Sequence, residues 1–296
     1  LAVQKLIKEK GGIAMYSGPA TTRLTEDDCA ENGFHWMFDT YSSAAGAAVA
    51  LTKAGDKSWF FVTVDYAFGH SLEKDASDMV KANGGTVVGS VRHPLNASDF
   101  SSFILQAQNS KAQVIGLANG AQDTVNAIKA AREFGITGAK GQKVAALLMF
   151  LTDVHSLGLR QAQGLMFSEG FYWDMDDKTR AFSARFEKLH KGFKPTMVQA
   201  GVYSSVLHYL KSVAAAKTDD WKVVAQKMRE LPIDDPVMRN ASIRPDGRVI
   251  HDMYLFQVKT PAESKGAWDY YKTVSTIPAK AAFKPLADST CPLVKK

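Results

Sequence analysis

Short apolar runs and segments with helical periodicity alternate along the chain from Lys57 onward. Apolar runs rich in β-branched and aromatic residues lie at residues 59–64, 86–91, 112–118, 144–151 and 164–167. Segments with a helical spacing of apolar positions lie at residues 68–82, 99–109 and 121–134. Buried strands that alternate with helices in this way predict a parallel sheet covered by helices on both faces. This region is therefore predicted to form one complete doubly wound lobe.

The pattern changes after Gly170. Helices are predicted at residues 177–190, 197–216 and 220–230, followed by two extended arms around the turn signal at 245–247 and a further extended piece at 268–274. The remaining strand candidates, at residues 13–17 and 35–40, lie at the other end of the chain. These distant pieces should share another lobe, which is called the first because it contains the N-terminus, so the chain is expected to cross between lobes more than once.

The N-terminal segment predicts that the first lobe is incomplete. Residues 1–12 already have the pattern of an amphipathic helix, with no capping residue and no strand before them. Two strands do not normally bury the faces of four helices, so about two further β-α units are expected before Leu1. The predicted division is residues 1–40 with 170–252, residues 41–169 with 253–280, and a tail at 281–296 that returns to the first lobe.

Composition and charge narrow the class of protein. The chain is 46% hydrophobic, and its longest apolar runs are too short to cross a bilayer. Its 36 Lys and Arg against 30 Asp and Glu give a net charge of +6, but the cations are interspersed with acids. Such a distribution is typical of solvated helix faces, and nucleic-acid binding and membrane insertion are not expected. If the protein is exported, its leader has already been removed.

The two cysteines and the catalytic sequence motifs give no indication of a metal site or of an enzyme. Cys29 and Cys291 have no partner at the spacing of a metal site, so they are either two buried thiols or one long-range disulfide in an oxidising compartment. Nucleotide-binding glycine loops, zinc-binding helices and nucleophile elbows are absent from the sequence. The sequence therefore predicts no metal, no cofactor and no enzyme activity.

One junction in the second lobe carries an unusual cluster. The apolar run at 59–64 stops at Asp65 and is followed by Tyr66, Phe68 and Gly69 as a helical pattern begins. Ligands of doubly wound folds sit at the C-terminal ends of strands, so these aromatic side chains could face a ligand. The simpler interpretation of these residues alone is that they plug the junction between strand and helix.

Several segments together resemble a known family. They are "YSGPATTRLT" at 16–25, "DYAFGHSLEKD" at 65–75, the stretch 98–136 that opens with "SDFSSFILQAQ", and "AQGLMFSEGFYWD" at 162–174. These resemble the periplasmic substrate-binding proteins of ABC transporters, branched-chain amino acid type, over essentially the whole chain. The resemblance implies a type I periplasmic binding fold, in which two doubly wound parallel-sheet α/β lobes are joined by three crossing segments with a ligand cleft between them. The crossings would lie near residues 39–42, 168–171 and 253–256.

The resemblance also implies where a ligand would bind. Thr21 and Thr22 match the position where the family binds a carboxylate through a hydroxyl and backbone N–H groups. Tyr66 and Phe68 would line the second lobe and stack on an apolar tail. Beside them, the loop at Gly120 would let the ligand approach the main chain closely.

The sequence departs from the family pattern after the run at 144–151. Thr152 and Asp153 stand where the amino-acid binders offer a Glu to the ligand ammonium, and Asp153 could instead cap the next helix. The ligand is therefore expected to be an amino acid, a keto acid or an aromatic acid. The complete predicted set of ligand contacts is Thr21, Thr22, Tyr41, Tyr66, Phe68, Gly120, Ala121, Phe150, Thr152, Asp153 and Tyr172.

The closing segment "LADSTCPLVKK" looks like a sub-branch of this family that carries a cysteine near each of these two positions. A disulfide between Cys29 and Cys291 is therefore predicted to tie the tail to the first lobe. The resemblance implies a monomeric periplasmic receptor that captures a small carboxylate by hinge closure and delivers it to an ABC permease. The alternative is a ligand-sensing regulator or receptor domain of the same fold.

Overall fold

The computed structural model describes residues 1–136 and 141–295. The helices are α1 (Ala2–Lys10), α2 (Thr40–Lys53), α3 (Ala67–Ala82), α4 (Ser101–Asn109), α5 (Ala121–Glu133), α6 (Leu151–Leu157), α7 (Leu159–Ala162), α8 (Asp177–Leu189), α9 (Met197–Ala216), α10 (Trp221–Glu230) and α11 (Ala279–Ala282). The strands are β1 (Ala14–Tyr16), β2 (Gly33–His35), β3 (Ser58–Val64), β4 (Thr86–His93), β5 (Val114–Ala118), β6 (Lys143–Ala146), β7 (Met166–Glu169), β8 (Ser242–Ile243), β9 (Val249–Ile250), β10 (Met253–Val258) and β11 (Tyr271–Ile277). Within the described ranges, no helix combines the length and apolar character needed to cross a membrane.

The chain forms two compact units, each built from separate stretches of sequence. Unit 1 contains residues Leu1–Asp39, Gly170–Met253 and Pro278–Lys296. Unit 2 contains residues Thr40–Glu169 and Tyr254–Ile277. The chain therefore passes from one unit to the other after Asp39, Glu169, Met253 and Ile277.

A parallel sheet with strand order β4-β3-β5-β6 organises unit 2. The central strand β3 pairs in parallel with both β4 and β5, and its Trp59, Phe61 and Val62 are fully buried. The edge strand β4 is half exposed, which agrees with its single neighbour in the sheet. A second sheet of order β11-β10-β7 completes the unit, with β10 antiparallel to β7. The predicted α/β fold with a helix-flanked parallel sheet is confirmed.

Unit 1 contains the short parallel pair β1 and β2 and the helices α8, α9 and α10. Asp176, Thr196 and Asp220 cap these three helices, because each side chain accepts a backbone N–H of the first turn. The predicted turn at 245–247 connects β8 and β9, which pair antiparallel. Gly247 is required in this turn, because its φ is +83° and a Cβ there would lie 2.2 Å from the carbonyl oxygen of Gly33.

The predicted disulfide is present in unit 1. Cys29 and Cys291 are both buried and covalently joined, with a Cα–Cα distance of 5.8 Å. Beside the bridge, the Glu26 carboxylate accepts the Thr290 backbone N–H at 2.8 Å and pairs with Lys284 at 2.9 Å. The tail is therefore attached by one covalent bond and by charge-assisted hydrogen bonds.

Three segments differ from the sequence-based expectation. The strand predicted at 144–151 is β6, which ends at Ala146, the residue that forms the last pair with β5. The strand predicted at 35–40 includes only His35, the last residue of β2. Helix α2 is absent from the predicted elements, because its Ala, Gly and Ser residues are mostly buried and leave no polar face to reveal the period.

Candidate functional site

The C-terminal ends of β3, β5 and β6 lie at the same edge of the unit 2 sheet, because these strands are parallel neighbours. Binding loops of open α/β sheets form at this edge. The loops and helix starts that follow these strands carry Tyr66, Phe68, Gly120, Ala121, Phe150, Thr152 and Asp153. We call these seven residues the unit 2 edge.

Aromatic surface dominates the unit 2 edge. The Tyr66 and Phe68 rings lie 5.8 Å apart between centroids, at an interplanar angle of 42°. Tyr66 is 43% exposed and Phe68 is half-buried, so the pair is accessible and is not a core plug. A Cβ at Gly120 would lie 3.4 Å from Leu148 and 3.7 Å from the Phe68 ring. Glycine therefore leaves the end of the Phe68 ring uncovered.

The backbone beside Gly120 is strained. Ala121 has a φ of +52°, a left-handed conformation that non-glycine residues rarely adopt, and Asn96 has a φ of +59°. Asp123, two residues after Ala121, accepts the Asn96 backbone N–H through Oδ2 at 3.1 Å. Such conformations are concentrated at binding and switching sites, where the surrounding structure holds them.

Asp153 has a structural role in this structure. Its Oδ2 accepts the Phe150 backbone N–H at 2.9 Å and so stabilises the first turn of α6. Asp153 is 9% exposed, and burial raises its pKa from the ordinary value of 3.8 to about 6, against the lowering effect of the Phe150 hydrogen bond. Thr152, in contrast, is exposed. Asp153 therefore stabilises the start of α6 from the third helical position, and the N-cap residue itself is Phe150.

Unit 1 contributes the loop that follows β1. Thr21 is buried and its hydroxyl accepts the Arg23 backbone N–H at 3.4 Å, which starts the 3₁₀ turn Thr22–Thr25. His35 fixes this loop, because its Nε2 donates a hydrogen bond to the Pro19 carbonyl oxygen at 2.8 Å. Burial lowers the pKa of His35 to about 3, with the Arg248 charge acting in the same direction, so the ring is neutral. The loop that contains Thr21 and Thr22 is thus fixed by a hydrogen bond from the neutral His35 ring.

The two tyrosines of the predicted set lie away from these loops in sequence. Tyr41 is half-buried in the first turn of α2, where the neighbouring Thr40 hydroxyl donates to Asp75 of α3 at 2.6 Å. Tyr172 is buried in unit 1 and makes an edge contact with Trp173 at a centroid distance of 5.9 Å. Both residues follow a point where the chain passes between units.

Glu169 and Asp123 are buried acids that the sequence analysis missed. Glu169 ends β7, is 1% exposed and accepts the Tyr271 hydroxyl at 3.0 Å. Burial raises the pKa of Glu169 well above its usual value, and the Asp153 charge adds to that effect. Asp123 is 3% exposed. A lone acid at the end of an apolar strand is the signal that would have indicated Glu169.

A cavity of about 580 Å³ lies at the opposite edge of the unit 2 sheet and is lined in part by Arg132 and Lys143. Arg132 already donates to the Gln161 carbonyl oxygen, and Lys143 is paired with Asp56 at 2.8 Å. Arg132 and Lys143 therefore already interact with other groups of the protein. The unit 2 edge is the better candidate for a ligand site. Among the described residues, no cluster of His, Cys, Asp or Glu is arranged to hold a metal ion.

The family model for periplasmic binding proteins matches residues 1–267. The chain belongs to this family. Its members are solute-binding receptors rather than enzymes, and homologues in the family are extracytoplasmic. No curated protein sequence matches the chain.

Solved structures of the family agree in fold. A periplasmic binding protein from Burkholderia mallei is 49% identical, with a TM-score of 0.96 over 99% of this chain and 77% of that one. A branched chain amino acid ABC transporter periplasmic ligand-binding protein from Burkholderia xenovorans LB400 is 40% identical, with a TM-score of 0.89 over 99% of this chain and 78% of that one. A solute binding protein of an ABC transporter from Rhodopseudomonas palustris BisB5, in complex with 3,4-dihydroxy benzoic acid, is 19% identical, with a TM-score of 0.81 over 94% of this chain and 75% of that one. At that last identity the likeness shows the fold alone.

Proposed function

We propose that this protein is a periplasmic receptor that captures a small carboxylate and delivers it to an ABC permease. The observation that carries the proposal is the accessible aromatic pair Tyr66 and Phe68 beside Gly120, at the edge of a parallel sheet in a member of a solute-binding family. Proteins of this fold include a branched chain amino acid ABC transporter periplasmic ligand-binding protein and an ABC transporter solute binding protein in complex with 3,4-dihydroxy benzoic acid. The proposed ligand is accordingly an amino acid, a keto acid or an aromatic acid.

The proposed contacts divide the ligand into two ends. Thr21 and Thr22 of unit 1 bind the carboxylate through hydroxyl and backbone N–H groups, while Tyr66, Phe68 and Phe150 of unit 2 cover the apolar tail. Hydrogen bonds to a charged group contribute about 1.5 to 3 kcal/mol each, and apolar burial contributes about 25 cal/mol per Å². Two or three such bonds and one buried tail give a dissociation constant on the order of 1 μM after the cost of association.

The proposal assigns transport rather than chemistry to the protein. No cofactor and no catalytic residue take part, and the receptor acts as a monomer that changes conformation by rotation about the segments where the chain passes between units. The Cys29–Cys291 disulfide supports an oxidising compartment such as the periplasm. Small-angle scattering with and without a tight ligand should show a smaller radius of gyration in the complex.

Calorimetry with a panel of small acids and their amides tests the proposed function. We expect an acid to bind while its amide does not, and Thr21→Val and Phe68→Ala should each weaken binding about tenfold or more. Thr22→Val and Tyr41→Phe extend the test to neighbouring predicted contacts, and circular dichroism confirms that each variant is folded. Binding of sugars or cations but not acids would overturn the proposed ligand class. Unchanged acid binding in both Thr21→Val and Phe68→Ala would show that the contacts lie on other loops.

A further inference from the structure

A buried chain of polar side chains links the ends of β4 and β5 to the first turn of α5. His93 is 1% exposed, and Asn119 and Thr124 are fully buried. His93 Nε2 lies 3.1 Å from Asn119 Nδ2, and the Thr124 hydroxyl lies 2.8 Å from Asn119 Oδ1. We call these three residues the polar relay. None of them belongs to the predicted set of ligand contacts.

The neighbouring groups fix the direction of each hydrogen bond in the polar relay. His93 Nδ1 lies 2.9 Å from the Pro94 carbonyl oxygen, which can only accept, so Nδ1 carries a proton and donates it. In a neutral ring Nε2 is then an acceptor, and it takes an N–H of the Asn119 amide. This orientation leaves Asn119 Oδ1 to accept the Thr124 hydroxyl. Each side chain of the relay therefore meets a partner of the right kind, and satisfied buried networks make a structure rigid.

The polar relay closes around the strained turn at Gly120 and Ala121. Asn119 precedes the turn and Thr124 follows it, so their hydrogen bond joins its two sides. Ala121 lies between them with a φ of +52°. A non-glycine residue needs support in this left-handed conformation, because its Cβ crowds the backbone. Ala121 is exposed, so the packing of its own methyl group does not supply that support.

The first turn of α5 is also joined to the loop that follows β4. Asp123 Oδ2 accepts the Asn96 backbone N–H at 3.1 Å, and Asn126 Nδ2 donates to the Ala97 carbonyl oxygen at 3.3 Å. Asn96 is left-handed as well, with a φ of +59°. Since His93 is the last residue of β4, the polar relay and these two bonds connect the same two segments. One network therefore holds both strained residues at this end of the sheet.

We propose that the polar relay is a positioning device, which holds the Gly120–Ala121 turn in its left-handed conformation before a ligand arrives. The inference rests on the proposed function, in which a ligand approaches the main chain at this turn. A turn that already has its binding conformation does not have to be ordered during binding, so less affinity is lost. His93, Asn119 and Thr124 are accordingly positioning residues, which act through the turn and do not touch the ligand.

Amide hydrogen exchange tests the conformational step without any ligand. Thr124→Val removes the hydroxyl and keeps the shape of the side chain, so Ala121 should relax and Asp123 should move away from Asn96. The Asn96 amide, followed by NMR, should then exchange at least about tenfold faster than in the wild type. Thr124→Ser keeps the hydroxyl and should exchange at the wild-type rate. An unchanged Asn96 rate in folded Thr124→Val would overturn the inference.

The Ala121→Gly substitution separates positioning from a general loss of stability. Glycine adopts the left-handed conformation without a steric cost, so adding it to Thr124→Val should return the Asn96 exchange rate to within about threefold of the wild type. Ser110→Ala is the matched control, because Ser110 precedes β5 and its hydroxyl donates to the Ala107 carbonyl oxygen at 2.6 Å. It should leave the Asn96 rate unchanged. Absence of the glycine rescue, or equal acceleration in Ser110→Ala, would contradict the positioning role.

Calorimetry tests the consequence for binding with L-leucine, 4-methyl-2-oxopentanoate and benzoate, one probe from each proposed ligand class. A probe that binds the wild type should bind Thr124→Val about tenfold more weakly, and Thr124→Val with Ala121→Gly should restore most of that affinity. If a bound probe keeps its affinity in Thr124→Val, the positioning role fails while the receptor function stands. If none of the three probes binds, the proposed ligand classes fail, and the exchange rates alone still decide whether the polar relay holds the turn.

Discussion

Removing the charge of Arg248 should destabilise unit 1 strongly. The side chain is 1% exposed, its Nε lies 3.2 Å from the Asp39 carboxylate, and its Nη1 donates to the carbonyl oxygens of His35 at 3.0 Å and Phe38 at 3.3 Å. Burial lowers the pKa of Arg248 only to about 10, so it remains protonated at pH 7. Arg248→Met keeps the apolar stem but leaves Asp39, which is 3% exposed, without its cation. Breaking a buried pair in this way costs about 3–5 kcal/mol.

Thermal unfolding measures this cost directly. A loss of about 3–5 kcal/mol should lower the midpoint by roughly 6–20 °C for a unit of this size. Arg239→Met is the matched control, because its pair with Asp176 at 2.6 Å is surface-exposed and should contribute less than about 1 kcal/mol. The double variant Arg248→Met with Asp39→Asn should recover part of the loss. If Arg248→Met were as mild as Arg239→Met, the uncompensated-charge argument would be refuted.

Three further outcomes follow from the structure. Cys291→Ser should lower the urea midpoint, since the disulfide closes a separation of 262 residues and contributes up to about 5 kcal/mol; an unchanged midpoint would contradict this. Gly69→Ala should destabilise the protein by about 1–3 kcal/mol or more, because its Cβ would lie 2.0 Å from the Val64 carbonyl oxygen, whereas Gly18→Ala meets nothing closer than 4.0 Å and serves as control. The raised pKa of Asp153, about 6, means that the folded protein holds a proton that the unfolded chain has lost above about pH 4. The free energy of unfolding should therefore decrease as the pH rises from about 4 to 6, and urea titrations of Asp153→Asn should show a smaller decrease. An identical pH profile in the variant would refute the burial argument.

Elements with strong local signals were predictable from sequence. Helix α9 begins and ends where expected, because Thr196 and Gln199 form a capping box. Helix α2 was not predictable in the same way, since a helix of small, mostly buried residues carries no polar stripe. The prediction for β6 extended too far because five apolar residues follow Ala146, whereas the pairing with β5 stops at Ala146.

Part of the candidate site was likewise predictable from the sequence, and part was not. Strand order places the unit 2 edge, because apolar runs and helix starts mark the strand ends that carry Tyr66 and Phe68. No sequence pattern indicates that Arg248 meets Asp39 or that Glu169 meets Tyr271, since these contacts join distant segments. The disulfide was accessible only because the chain contains two cysteines and one pairing is possible.

The start of α6 links local stability to the proposed ligand choice. Asp153 stabilises the first turn only while its carboxylate faces the Phe150 N–H, and in that position burial draws its pKa upward. This hydrogen bond engages one oxygen of the Asp153 carboxylate and leaves the other without that role. Thr152 is exposed and has no such duty, so it is the position where a single substitution can add a negative charge without removing a hydrogen bond from the helix. Thr152→Glu, which adds a second carboxylate beside that of Asp153, is therefore expected to shift selectivity from an acid toward its α-amino derivative, and calorimetry with the two ligands measures this shift.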